Sequence, residues 1–173
     1  NAAIYDAVAL YNAAHGNNLR TVALSYAEFQ ALSIVMMKQT GYNEANFFLD
    51  NTPKYILVPS DLWVPATEIA KSNVAFSGAR TETIDNTFSA WNVEVIRVPY
   101  WTDVTNFATM ADPKKSPGLE IGFLDGNEEP ELLQEAANSG SDFTNDQIRY
   151  KLRHIYGGAI TDFRPFLGSV VAG

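Results

Sequence analysis

Cysteine is absent from the 173 residues, which removes disulfides, thiolate metal sites and cysteine nucleophiles together. Histidine occurs only as His15 and His154, without the His-x-x-x-His or His-Glu spacing of a zinc site. Charge is scarce: Asp, Glu, Lys and Arg make up 18% of the chain, below the roughly 25% usual for soluble domains. What charge there is leans acidic, with 12 Lys plus Arg against 20 Asp plus Glu and a net −8. Affinity for nucleic acid comes mostly from cations that neutralise phosphates, so sequence-specific nucleic-acid binding is not expected. No apolar run approaches the roughly 18–20 residues of a membrane span, and no signal-peptide pattern or glycosylation acceptor occurs. The Gly-x-Ser-x-Gly elbow, the phosphate-binding loop and the dinucleotide fingerprint are all missing. These absences predict a chain without cofactor, membrane contact or enzymatic activity.

What is present is an apolar, aromatic chain. Hydrophobic residues reach 46% and aromatics 12%, with eight Tyr and three Trp, so the chain is globular. It is long enough for one domain with a real core, or for two small lobes sharing a sheet. Few charges and many aromatics predict a surface partly covered by partners. The first residue is Asn1 rather than Met, and the chain is expected to be a piece of a longer polypeptide.

Periodicity predicts helices first and strands later. Ile4, Val8 and Tyr11 recur at helical spacing over residues 2–14, with His15 suited to the dipole at that helix end. Ser25 and Glu28 form a capping box ahead of an apolar stripe of Tyr26, Phe29, Leu32 and Met36. Ala31, Ile34 and Val35 make the far side apolar too, which predicts burial by more than one neighbour. Gly41 is the expected stop. Tyr55–Val58 reads as a buried strand ended by Pro59. Ser60 or Asp61 could cap the next helix, which either begins near Pro65 or kinks there.

From residue 91 onward the pattern is β. Residues 92–98, 106–111 and 119–123 read as strands, the last with Leu119, Ile121 and Phe123 on one face. The DPKKSPG segment between the last two must be a loop, and so must the polar stretch 135–146. In QIRYKLRHIY (147–156), Ile148, Tyr150, Leu152, His154 and Tyr156 point one way, and Arg149, Lys151 and Arg153 the other. Gly157-Gly158 alone suggests a hairpin turn. Two glycines can also mark a bulge in a continuing strand, and one long strand over 147–163 is the expectation.

The densest charge lies in GFLDGNEEPELL (122–133), where Asp125, Glu128, Glu129 and Glu131 surround Asn127. A calcium EF-hand loop needs Gly at position 6 and Glu at position 12. Counting from Asp125, Gly126 falls at position 2 and Ala136 at position 12, so the match fails. A pair of acid/base carboxylates is set by space rather than by sequence, which leaves a carboxylate-dependent hydrolase as the alternative from another class. The Asp-Gly-Asn run is itself a turn signal. The expected outcome is an exposed acidic turn between two strands.

Four segments in order carry a family resemblance: PKYILVPSDLWVPATEIAKS, NVEVIRVPYWTDVTNFATMADP, PGLEIGFLDGNEEPEL and IRYKLRHIYGGAITDFRPFLG. Over roughly residues 22–170 the chain resembles the tailed-bacteriophage major capsid proteins of the Hong Kong 97 fold. It is most similar there to the Mu-like prophage head-subunit and protease-fused branches. The resemblance implies an α+β fold of mixed sheets with flanking helices, comprising the axial lobe and part of the peripheral lobe. It also implies that residues 1–173 form a C-terminal fragment, with the N-terminal arm and extended loop upstream. The implied function is a structural subunit of an icosahedral head whose hexamers and pentamers enclose double-stranded DNA. The implied location is the virion, after synthesis in the bacterial host cytoplasm.

The partners implied are further copies of the chain, together with scaffold, portal and decoration proteins. An encapsulin-like shell around protein cargo is the alternative within the same fold. On this reading Asp125, Glu128, Glu129, Glu131, Arg149, Lys151 and Arg153 are candidates for contacts between subunits, acidic turns meeting basic strand faces.

Overall fold

The computed structural model describes residues 2–17, 19–41, 44–77, 82–136, 140, 145 and 147–171. In chain order the elements are α1 (Tyr26–Met37), β1 (Thr40–Gly41), β2 (Glu44–Phe48), β3 (Pro53–Val58), α2 (Trp63–Lys71), β4 (Val74–Ser77) and β5 (Glu82–Asp85). They continue with β6 (Glu94–Arg97), β7 (Phe107–Ala111), β8 (Leu119–Phe123), β9 (Glu131–Gln134), β10 (Tyr150–Arg153), β11 (Tyr156–Ile160) and β12 (Phe166–Ser169). The architecture is α+β with several small sheets. Residues 1–119 with 160–173 make one compact unit and residues 120–159 a second.

The first unit is organised by a four-stranded sheet of order β12-β7-β3-β6. β3 and β6 are parallel, and β7 is antiparallel to both β3 and β12. A parallel pair needs a crossover long enough to return the chain, usually helical, and α2 lies in that connection. Its Ala66 and Ala70, four residues apart, are fully buried, so the helix approaches its neighbours closely on a side without bulk. Pro65 is the third residue of α2, where no intrahelical donor is lost. The helix therefore begins near Pro65 and is not kinked by it. Leu62 occupies the cap position without a side-chain bond, so neither Ser60 nor Asp61 serves as the cap.

The core gathers Phe29, Leu32 and Met36 of α1 with Ile56 and Val58 of β3, Phe107 of β7 and Leu167 of β12. The start of α1 follows the sequence: Ser25 Oγ accepts from Glu28 N at 3.1 Å. Glu28 does not reach back to complete the box. Its side chain is buried and takes both Nε and Nη2 of Arg20, the latter at 2.8 Å from Oε2. The expectation of burial all round is also corrected, because Ile34 stays exposed. Lys38 closes the helix through its N–H to Ile34 O, and Gly41 lies beyond it in β1.

The helix expected over residues 2–14 does not form. Asp6 Oδ1 accepts from Val8 N at 3.0 Å, and Ala7 is left-handed with φ 63°. Ile4 and Val8 are joined by a backbone bond that closes a tight reversal. Short side chains that bond the nearby backbone compete with helix in this way. His15 sits in a 3-10 turn, Ala13–His15, rather than at an α-helix end. It is buried, its ring stacks on Phe163 at 3.9 Å, and its Nε2 lies 2.7 Å from Asp6 Oδ2. That hydrogen bond holds the Asp6 carboxyl below its ordinary range.

The DPKKSPG loop turns around Asp112, whose Oδ1 accepts from Lys114 N. It ends at Gly118, where any Cβ would stand 2.4 Å from Pro165 and 2.8 Å from Asp162 O. No other residue fits that approach without a shift.

The second unit is a two-stranded ribbon. β8 pairs with β11, and β9 pairs antiparallel with β10. The single strand expected over 147–163 is therefore two strands, interrupted at His154-Ile155 and paired with different partners. Gly157 and Gly158 lie inside β11, not at a kink or a hairpin turn. Of the polar loop expected over 135–146, only residues 135, 136, 140 and 145 fall within the described residues.

Candidate assembly interface

The acidic stretch occupies a break in this ribbon. Leu124 N bonds Ile155 O at 3.1 Å, and Glu131 stands opposite Arg153. Residues 125–130 of one leg therefore face the single residue His154 of the other. The chain does not reverse direction here. The expected turn between two strands is a wide bulge within one leg, and bulges of this kind re-aim side chains and interrupt pairing. Asp125 and Gly126 enter it with φ 58° and 73°, a left-handed pair that Asp-Gly tolerates well.

Each sequence-predicted residue can now be placed. Asp125, Glu128 and Glu129 lie in the bulge, Glu131 opens β9, and all four are exposed. Arg149 precedes β10, where its carbonyl accepts from Glu135 N at 2.9 Å. Lys151 and Arg153 are in β10 and exposed. The register brings together only Glu131 and Arg153, directly opposite one another, while Lys151 faces Leu133. A cross-strand pair of opposite charges contributes roughly 0.2–1 kcal/mol. Asp125, Glu129, Glu131, Arg153 and His154 line a hollow of about 20 Å³. That is room for about one water, far from the roughly 300 Å³ of a substrate pocket.

The other side of the ribbon is apolar. Leu152 stands opposite Leu132, and Tyr150 opposite Gln134. Alternation puts these on the face away from Lys151 and Arg153. Alternation assigned Ile148, Tyr150, Leu152, His154 and Tyr156 to one face, the usual pattern of a half-buried strand. The face is in water instead: Tyr150, Leu152 and Tyr156 are 63%, 68% and 66% exposed. His154 is exposed as well and clusters with two rings, 5.9 Å from Phe123 and 4.9 Å from Tyr156, which are 6.4 Å from each other. Leu119 and Ile121 of β8 are also exposed. They share one face with Phe123, as the alternation predicts, but a two-stranded ribbon has no second layer to bury them.

Apolar strand surface gathered on one face in water is a common mark of a contact site. The family model described as phage capsid protein matches residues 1–168. The chain belongs to the phage capsid proteins. No curated protein matches it. Membership in that family gives this capsid protein a structural role, self-assembly into a shell and a place in the virion. Among the described residues, no helix is long and apolar enough to cross a membrane. Sequence reasoning named the charged side of the ribbon as the contact and missed Ile121 and Leu132. The alternation that revealed the strands also marked their apolar faces. Nothing local to the sequence said that those faces lack cover.

Proposed function

We propose that this capsid protein is a shell subunit of the Hong Kong 97 fold, arranged as hexamers and pentamers around packaged double-stranded DNA. The observation that supports the reading best is the second unit, residues 120–159, whose described residues contribute no buried hydrophobic side chain. Such an element gains its stability in an assembly and not in the isolated subunit. On this reading Asp125, Glu128, Glu129 and Glu131 meet Arg149, Lys151 and Arg153 of a neighbouring copy. The net charge of −8 suits a wall past which DNA slides without adhering.

Electron microscopy of the purified protein, concentrated at low and at high salt, tests the reading. Closed particles or rings with fivefold and sixfold capsomers are expected. Open filaments, or a monomer that persists at every concentration, would overturn it.

A further inference from the structure

Exposed ion pairs contribute little each, so the charged side of the ribbon selects a partner more than it holds one. The holding contact must bury apolar surface. We infer that the apolar face of the ribbon, formed by Leu132, Tyr150, Leu152, Tyr156 and Ile121, packs against a second copy of this chain and forms the hydrophobic centre of a subunit contact. The inference rests on the shell reading and adds the surface that provides the affinity.

Three observations support it. The five side chains are between 59% and 68% exposed. At about 100 Å² left in water by each, they expose roughly 500 Å². That matches the largest apolar patch of a typical monomer, about 300–600 Å² and often functional, and is a large share of the ~800 Å² each partner gives to a standard interface. Charge is segregated as well. Within β9 and β10, Glu131, Lys151 and Arg153 alternate onto the opposite face, and the paired positions of the apolar face are Leu132, Gln134, Tyr150 and Leu152, none of them charged. A second copy can therefore approach these paired strands without burying a charge, whereas the opposite face would bury Glu131, Lys151 and Arg153. Finally, the protein belongs to a family whose members assemble with themselves, which makes another copy the partner at hand.

The test introduces a photoactivatable crosslinking residue at Leu152 and allows an equal mixture of light and heavy isotope-labelled protein to assemble. Mass spectrometry then reads which chain each crosslink reaches. Crosslinked pairs joining a light to a heavy chain are expected. Crosslinks confined within single chains would overturn the inference, since the face would then be covered by its own subunit. Attachment to host proteins alone, or no crosslink in assembled particles, would overturn it too.

A second variant, Leu132→Lys with Leu152→Lys, is expected to lose the assembled species in sedimentation while the far-ultraviolet spectrum and melting temperature of the monomer are retained. Particles that still form at the normal protein concentration would count against the inference. The two readings fail separately. Capsomers without mixed crosslinks would remove this contact and leave the shell. Mixed crosslinks in dimers that never close would do the reverse.

Discussion

The two units of this capsid protein spend their apolar residues differently. In the first, Phe29, Met36, Ile56 and Phe107 are withdrawn from water almost completely, and a sheet with two helices encloses them. In the ribbon, residues of the same kinds stand mostly in solvent. The contrast shows that strand pattern and core membership are separate properties. Alternation selects which side chains share a face, and a second layer decides whether that face is buried. The first unit carries its second layer within the chain. For the ribbon, that layer is proposed to come from another subunit.

The sharpest way to break the comparison is to truncate one large apolar side chain in each unit. Phe107→Ala opens a cavity in a packed core, which typically costs about 3–5 kcal/mol. Leu152→Ala removes a side chain that is already hydrated, so the isolated protein should change by no more than about 0.5 kcal/mol. Urea midpoints at constant slope measure both. Equal losses would mean that the ribbon is buried in solution by something other than a second subunit.

A smaller effect is expected from the buried Glu28 carboxylate of the first unit and its partner Arg20. Arg20→Met leaves the Glu28 carboxylate buried without the guanidinium that now satisfies both its oxygens. A loss of about 2 kcal/mol is expected, read as a lower urea midpoint. Glu28→Gln, which keeps an acceptor and leaves the backbone N–H donating to Ser25 Oγ, should lose less. In the ribbon, Arg153→Met removes a charge that faces Glu131 in full solvent, and the midpoint should hardly move.

What could be read in the sequence follows the same division. β3, β6 and β7 were legible because short apolar runs stop at Pro59, Pro99 and the Asp112-Pro113 pair, and proline ends a strand locally. The start of α1 was legible because Ser25 acts on an amide three residues away. Residues 2–14 were misread because their helical spacing competes with the Asp6 side chain and a left-handed Ala7. Spacing carries no information about that local bond. The bulge at 125–130 and the interruption at His154-Ile155 depend on which leg pairs with which, and no single segment records its partner. The candidate contact was half legible for the same reason. Its charges were visible as a cluster, and its apolar side looked like core.

A gain is expected where the first unit leaves a polar atom buried. Thr109 in β7 is 1% exposed, and among the described residues its hydroxyl has no hydrogen-bond partner. Thr109→Val keeps the shape and removes the unsatisfied group, which should stabilise by about 1 kcal/mol. For a chain of this size the melting temperature rises by roughly 2–4 °C, measurable by calorimetry. A fall instead would mean that the hydroxyl bonds an ordered water.

The smallest effect on the isolated chain, and the one that separates the two units most clearly, belongs to the acidic bulge. Glu128, Glu129 and Glu131 are exposed, and none is part of a packed layer. Replacing all three with Gln conserves size and hydrogen bonding while removing three charges, so each change in the monomer should lie within about 0.5 kcal/mol. The melting temperature should stay where it was. In the assembly the same groups face neighbouring cations, on the proposed reading, and the small benefit of each pair is repeated in every subunit of the shell. The protein concentration needed for assembly should rise, and the difference from the unaltered protein should shrink as salt screens the charges over roughly 8–10 Å. Light scattering across a salt series reads both. A large loss of monomer stability would mean that these carboxylates hold the ribbon together internally, and unchanged assembly at low salt would remove them from the contact.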